Sequence, residues 1–308
     1  MERSQKSAFV FGLLAALFWS PHFPLFRRIA QGQQAPPTLV LSFYFVLGGA
    51  VALVLLLFLG GRLAELRVFG RRETYFLLLA AAGGYGFWVL RSLTLESLEP
   101  TRARLVFYSV PLLMAVLGAF TRERPDGRAF FGLLLGFVGC IMLVAPGDQV
   151  DGGVRGVLLG LAAAGCWAAF SLAARPLARQ EKAIPVAAVV TGIGAICLLV
   201  TCLSTRESVF QIRPGELATA LVGGAFTVGF MMALWLKCLA GAAAVLAGGM
   251  WYFGLVFGVL WTYVGFGGVR PDPWWLLGGT VLVLLGVHST LSGRRRKTAT
   301  MSDIIRGS

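Results

Sequence analysis

Ten apolar runs, each long enough to cross a bilayer, constrain this chain more than any other feature of it. They cover roughly residues 8–30, 37–60, 74–95, 100–121, 128–146, 154–175, 184–204, 214–239, 241–265 and 272–292. A hydrocarbon core about 30 Å thick calls for about 20 apolar residues of helix. Within it every backbone polar group must be satisfied by the protein itself, which leaves helices or closed barrels. The runs are continuous and do not alternate, so they predict helices and not barrel strands. The expected fold class is all-α integral membrane, with ten transmembrane helices joined by short connectors such as Gln31-Gly-Gln-Gln, Pro146-Gly-Asp-Gln and Arg270-Pro-Asp-Pro.

The charge pattern supports a membrane setting. Only 13% of residues are charged, against about a quarter in soluble domains, and mean hydropathy is +0.79. The net charge of +13 does not mark a nucleic-acid binder, because Lys and Arg sit in connectors and a tail, where they act as a topology signal. With the N-terminus inside, the inner side holds Arg3, Lys6, Arg62, Arg67, Arg71, Arg72, Arg122, Arg124, Arg128, Arg175, Arg179, Lys182, Lys237 and the run Arg294–Lys297. The outer side holds Arg27, Arg28, Arg155, Arg206, Arg213 and Arg270. Both termini are therefore expected in the cytoplasm. The tail from 294 to 308 is expected to lie unstructured on anionic headgroups of membrane lipid. The charged N-terminus resembles a signal peptide, but its apolar run is too long, has no small-residue cleavage site and recurs later, so it reads as the first helix. Five cysteines in apolar runs, odd in number and without CxxC spacing, imply neither a disulfide framework nor a metal site. No cofactor is implied.

The first helix has an echo half a chain later. Gly12 leads Trp19 as Gly160 leads Trp167, and Arg27 and Arg175 follow at the same distance. Gly83-Gly84 matches Gly223-Gly224, and Gly132 and Gly139 match Gly279 and Gly286. An odd number of spans per repeat makes the halves enter from opposite faces. The expected organisation is thus a five-plus-five inverted repeat, residues 1–147 and 148–293, the arrangement behind alternating access around a midplane site.

These residues, with Thr101-Arg-Ala-Arg104, Tyr108-Ser-Val-Pro111 and Glu123, resemble the drug/metabolite transporter superfamily in its EamA-type ten-helix branch. Ala225-Phe-Thr-Val-Gly-Phe230, Ala233-Leu-Trp235, Gly84-Tyr85 and Trp167-Ala-Ala-Phe170 are most similar to the aromatic amino acid exporters. The resemblance covers nearly the whole chain and implies an inner-membrane exporter of small metabolites, aromatic or bulky neutral amino acids first. The chain departs from the pattern in helix nine, where the partner of Pro111 is absent and Gly254 and Gly258 lie nearby. The acidic residue that follows that helix in the family is also missing.

Candidate site residues follow from helical spacing. Pro21 and Pro24 remove backbone donors mid-span and should kink or unwind helix one, with Trp19, Ser20 and His22 on a cavity wall. The alternative is a packing kink whose histidine bonds a neighbouring carbonyl. Helix three places Tyr85, Trp88 and Ser92 on one face. Helix four places Arg104, Tyr108 and Pro111 likewise, with Pro111 a hinge. Trp167 and Ser171, Trp235, and Tyr252 complete a substrate-binding set of small residues and rings suited to an apolar or aromatic ligand, unless these are interior packing. Trp251, Trp261, Trp274 and Trp275 read as packing or an interfacial belt. Arg91, Glu96, Glu99 and Arg104 form either an outer gate, in which an arginine could hold a substrate carboxylate, or the preferred reading, a solvated and mutually paired loop with Arg91 snorkelling outward.

All fourteen acidic residues fall in connectors, tails or helix ends, and no phosphate-binding loop is present. ATP-driven transport is thus excluded for this chain alone, and a facilitator or exchanger is expected. A carrier of quaternary amines held by ring faces is the alternative. A membrane-embedded enzyme is disfavoured, because His22 is the only mid-span titratable residue besides Tyr and Cys, and no enzymatic activity is expected.

Overall fold

A computed structural model of the chain describes residues 3–32, 35–67, 69–120, 126–144, 153–266 and 272–306. Arg122, Glu123, Arg124, the connector from Pro146 to Gln149, and Arg270 lie outside the described residues. Among the described residues, ten helices are long and apolar enough to span a membrane: α1 Lys6–Ala30, α2 Thr38–Leu59, α3 Arg71–Ser97, α4 Arg102–Ala119, α5 Gly127–Val144, α6 Val154–Gln180, α7 Ala183–Ser204, α8 Pro214–Gly241, α9 Ala244–Phe266 and α10 Pro273–Leu291. No strand occurs among the described residues. The fold is all-α, as the continuous apolar runs require. One expectation is corrected: helical backbone continues from Pro273 through the basic tail to Arg306.

Large apolar side chains stay exposed along the bundle, among them Phe131, Leu158 and Ile196, each more than half exposed. In water such a surface would be a liability, whereas in a bilayer it faces tails as apolar as itself. With little hydrophobic drive between helices, close packing depends on small residues. Spans α5 and α10 run antiparallel and meet glycine to glycine. A Cβ on Gly132 would stand 2.5 Å from the Gly286 carbonyl oxygen, and one on Gly139 would stand 2.7 Å from that of Gly279. Spans α2 and α8 approach as closely, Gly48 against the Leu221 carbonyl and Gly224 against that of Phe45.

The broadest contacts pair α3 with α6, α5 with α10, α2 with α8 and α1 with α8. Three spans break near mid-depth. Helix α1 stops at Trp19, turns through Ser20-Pro21 and resumes at His22. Span α4 breaks at Tyr108-Ser109, just before Pro111, and α9 breaks at Tyr252. Within α8, residues Ala225–Phe230 form a π-helical turn, a feature often found at functional sites.

Candidate substrate site

The prolines place the first functional group. Pro21 and Pro24 have no N–H to donate, so the helix through Trp19 gives way over two residues. The Ser20 hydroxyl closes the end by donating to the Leu17 carbonyl at 2.6 Å. His22 begins the next helix fully buried. Its Nδ1 and the Thr227 hydroxyl of the π-helical turn share a hydrogen bond of 3.0 Å, while its Nε2 has no partner among the described residues.

Around this break the rings collect. Trp19 stacks on His22 with centroids 4.8 Å apart, and it lies 6.1 Å from Trp88, 6.1 Å from Trp167 and 5.5 Å from Trp251. Trp251 continues the column to Trp167 at 5.2 Å and to Trp235 at 5.3 Å. The Trp235 indole donates to the Ser171 hydroxyl at 3.1 Å. Phe87 sits between Trp88 and Trp167, 5.3 Å and 4.8 Å away. Six candidate positions thus meet, Trp19, His22, Trp88, Trp167, Ser171 and Trp235, with Ser20 at the α1 break beside them.

The other candidates lie outside this column. The Tyr85 hydroxyl bonds Thr201 of α7 at 2.6 Å, and the Ser92 hydroxyl bonds Ser42 of α2 at 2.9 Å. Tyr252 faces α5, where its hydroxyl donates to the Leu133 carbonyl at 2.9 Å and its ring lies over Gly136. Tyr108 sets its hydroxyl against Gly254, so the glycine near the missing helix-nine proline makes room for a ring from α4.

Spacing does not single out Trp251, Phe87, Phe23, Phe26, Phe45 or Thr227 as site residues. Trp251 belongs to the centre, apart from Trp261, Trp274 and Trp275, which are 40%, 79% and 43% exposed. The π-helical turn is what aims Thr227 at His22, and no periodicity shows such a turn.

The charged candidates separate. Arg91 does not reach the end of α3: it is fully buried, its guanidinium lies over Phe26, Phe23 and Trp88, and its three nitrogens have no partner among the described residues. Arg104 is half-buried and lies over Phe23 at 5.1 Å. Glu96 accepts a hydrogen bond from the Thr38 hydroxyl at the start of α2. Glu99 is exposed. At the opposite end Lys182 pairs with Glu73 at 2.9 Å, and Arg175 donates to the carbonyls of Leu239 and Ala242 at 3.1 Å and 2.5 Å.

Two hollows open on the bundle, only the first of them beside the column. An apolar crevice of about 730 Å³ opens between α1 and α8, lined by Leu17, Phe18, Pro21, Phe226, Thr227 and Trp261. A polar one of about 670 Å³ lies where the α1–α2 and α7–α8 connectors meet, lined by Pro36, Pro37, Glu207 and Arg206, the last at φ 58°. Among the described residues, no group of His, Cys, Asp and Glu is arranged to hold a metal.

Among the described residues, ten apolar spans around a buried aromatic and polar centre define a multi-pass integral membrane protein. The model of the EamA-like transporter family matches residues 6–145. The aromatic amino acid exporter YddG of Ancylobacter novellus is 30% identical over 236 residues, 71% of this chain and 75% of that protein. The uncharacterized inner membrane transporter YhbE of Escherichia coli (strain K12) is 28% identical over 188 residues, 58% of this chain, and the chain spans 57% of the length of that relative. A solved crystal structure at 26% identity superposes with a TM-score of 0.76 over 94% of this chain and 99% of its own. The chain belongs to the EamA-like transporter family.

Proposed function

We propose that this protein exports aromatic or bulky neutral amino acids across the inner membrane by alternating access, as a facilitator or exchanger. The observation that carries the reading is the buried column from His22 through Trp19, Trp167 and Trp251 to Trp235. It sits at helix breaks and keeps the indole nitrogens of Trp167 and Trp251 without partners among the described residues. Buried polar groups are nearly always bonded, and unused donors beside stacked rings suit an aromatic ligand with polar atoms. The similarity to an aromatic amino acid exporter supports the same substrate class. Arg91, buried and without a partner among the described residues, weighs against a quaternary amine, which it would repel.

The repeat supports the mechanism. Gly132 is matched in sequence to Gly279 and Gly139 to Gly286, yet the contacts run crosswise, Gly132 to Gly286 and Gly139 to Gly279. The pairing of α3 with α6 recurs as α8 with α1 under the same exchange. Both are what a two-fold axis between inverted halves produces. On this reading Lys182–Glu73 and the Arg175 contacts close the cytoplasmic side, and the α1 break beside His22 is the hinge.

Counterflow in proteoliposomes tests the proposal. Unlabelled phenylalanine preloaded inside should accelerate entry of labelled phenylalanine and tryptophan with no ion gradient, and threonine should be slower. Acceleration by choline alone, or flux abolished by an uncoupler regardless of the substrate gradient, would overturn it.

A further inference from the structure

Arg91 is an anomaly of this bundle. It lies within α3, six positions before Ser97, fully buried, with none of its three nitrogens bonded among the described residues. Its Cζ is 4.5 Å from the Phe26 ring centre, 5.3 Å from Phe23 and 5.4 Å from Trp88. The same three rings surround His22: Phe26 at 5.9 Å, Phe23 at 6.0 Å and Trp88 at 5.5 Å between centroids. His22 Nε2 is also unbonded among the described residues. Two sets of unused nitrogens therefore share one aromatic box, and Arg104 lies over the Phe23 ring between that box and the exposed end of α3 and α4.

A guanidinium keeps its charge in a protein, and a buried charge is ordinarily paired. Ring faces offset part of the hydration given up, but they accept no hydrogen bond of carboxylate strength. No acidic residue is among the buried polar residues described for this chain, and Glu96 is engaged with Thr38 at the exposed end. Among the described residues nothing supplies that counter-charge.

We propose that Arg91 and His22 form the head-group site for a carboxylate, and that the substrate class is aromatic monocarboxylates, with the α-ammonium not required. This rests on the reading of the bundle as a carrier and defines its substrate by the carboxylate and the aromatic ring instead of by the amino acid group. The planar fork of Arg91 matches a carboxylate bidentately, and Phe23, Phe26 and Trp88 take the aromatic body. Among the described residues, no buried carboxylate stands in the box to receive an ammonium. An aromatic acid lacking the amine, such as 3-phenylpropanoate, therefore binds at least as well as phenylalanine, and an aromatic amine lacking the acid does not.

Binding of radiolabelled 3-phenylpropanoate to the purified protein in lipid nanodiscs tests this without depending on flux. Unlabelled phenylalanine should compete within a few-fold, and phenethylamine should not compete. Arg91→Gln should weaken binding at least about tenfold, as loss of bonds to a charged group does, and Arg91→Lys should weaken it less. Because the guanidinium has no partner among the described residues, Arg91→Met should leave Tm unchanged or raise it, whereas loss of a merely structural arginine would lower it. Absence of saturable 3-phenylpropanoate binding, competition by phenethylamine as strong as by phenylalanine, or wild-type affinity in Arg91→Gln would each overturn the proposal. Should Arg91→Gln fail to fold, the competition series on the unmodified protein decides. Saturable 3-phenylpropanoate binding that phenylalanine does not displace would uphold the carboxylate site while overturning the amino acid reading. Phenylalanine counterflow without 3-phenylpropanoate binding would do the reverse.

Discussion

Trp19 touches more of the centre than any other side chain, meeting His22, Phe23, Phe87, Trp88, Trp167 and Trp251. Truncating a buried tryptophan costs about 3–5 kcal/mol, so Trp19→Ala should lower Tm by several degrees in detergent. Trp274→Ala, at a residue 79% exposed, should leave Tm within about a degree. Thermal unfolding of both variants followed by fluorescence checks the contrast. Thr227 acts more narrowly. It holds the His22 ring by one hydrogen bond, and Thr227→Val, which keeps the volume, should cost about 1–3 kcal/mol by leaving that ring without its partner. An unchanged Tm for Thr227→Val would show that the bond does not order the ring.

At the scale of elements, glycine placement decides which spans touch. Gly132→Leu would push side-chain atoms into the Gly286 backbone, and overpacking of this kind costs about 1–3 kcal/mol or more. A lower Tm and a broadened size-exclusion profile are expected. At Gly165 and Gly192, by contrast, an added Cβ would meet nothing within 4 Å. Gly165→Ala should therefore be silent or stabilising by up to about 1 kcal/mol through helix propensity. The broken helices have different causes. In α1 and α4 a proline removes the donor, whereas α9 breaks at Tyr252 with no proline nearby. There the ring lies on Gly136 and the hydroxyl reaches Leu133, so the break is held by packing against α5. Gly136→Val should displace the Tyr252 ring and lower Tm, while Pro111→Ala leaves that contact intact.

At the scale of the whole molecule, the distribution of basic residues sets the expected orientation. A reporter that fluoresces only in the cytoplasm should be active when fused after Leu66 or at the C-terminus. A reporter active only outside should work when inserted near Phe210. The opposite pattern would reverse the orientation and, with it, the assignment of the Lys182–Glu73 pair to the cytoplasmic side. That pair is about a quarter exposed or less on both side chains, so salt screens it less than a fully solvated pair. Glu73→Lys should speed exchange if the pair holds the inner side closed, and Glu73→Lys with Lys182→Glu should restore the slower rate in the same counterflow measurement.

The ten spans, the interruptions at Pro21 and Pro111 and the absence of strands among the described residues follow from the amino-acid sequence alone. The reason is local: a backbone in lipid must satisfy its own polar groups, so length, apolarity and missing donors are decided residue by residue along the chain. Spacing marks Trp88, Trp167 and Trp235 as candidates, and the prolines of helix one mark Trp19 and His22. What requires the tertiary structure is which side of each helix faces inward. Both the interior and the lipid-facing surface are apolar, so hydropathy does not separate Trp251 in the column from Trp261 outside it. Nor does it show that Tyr252 points to α5 and Tyr85 to α7. The burial of Arg91 is equally hidden, because snorkelling to the helix end and folding inward onto Phe23, Phe26 and Trp88 leave the same sequence pattern. Only the packing of α1 against α3 and α8 brings those rings, and the unbonded nitrogen of His22, to where the guanidinium lies.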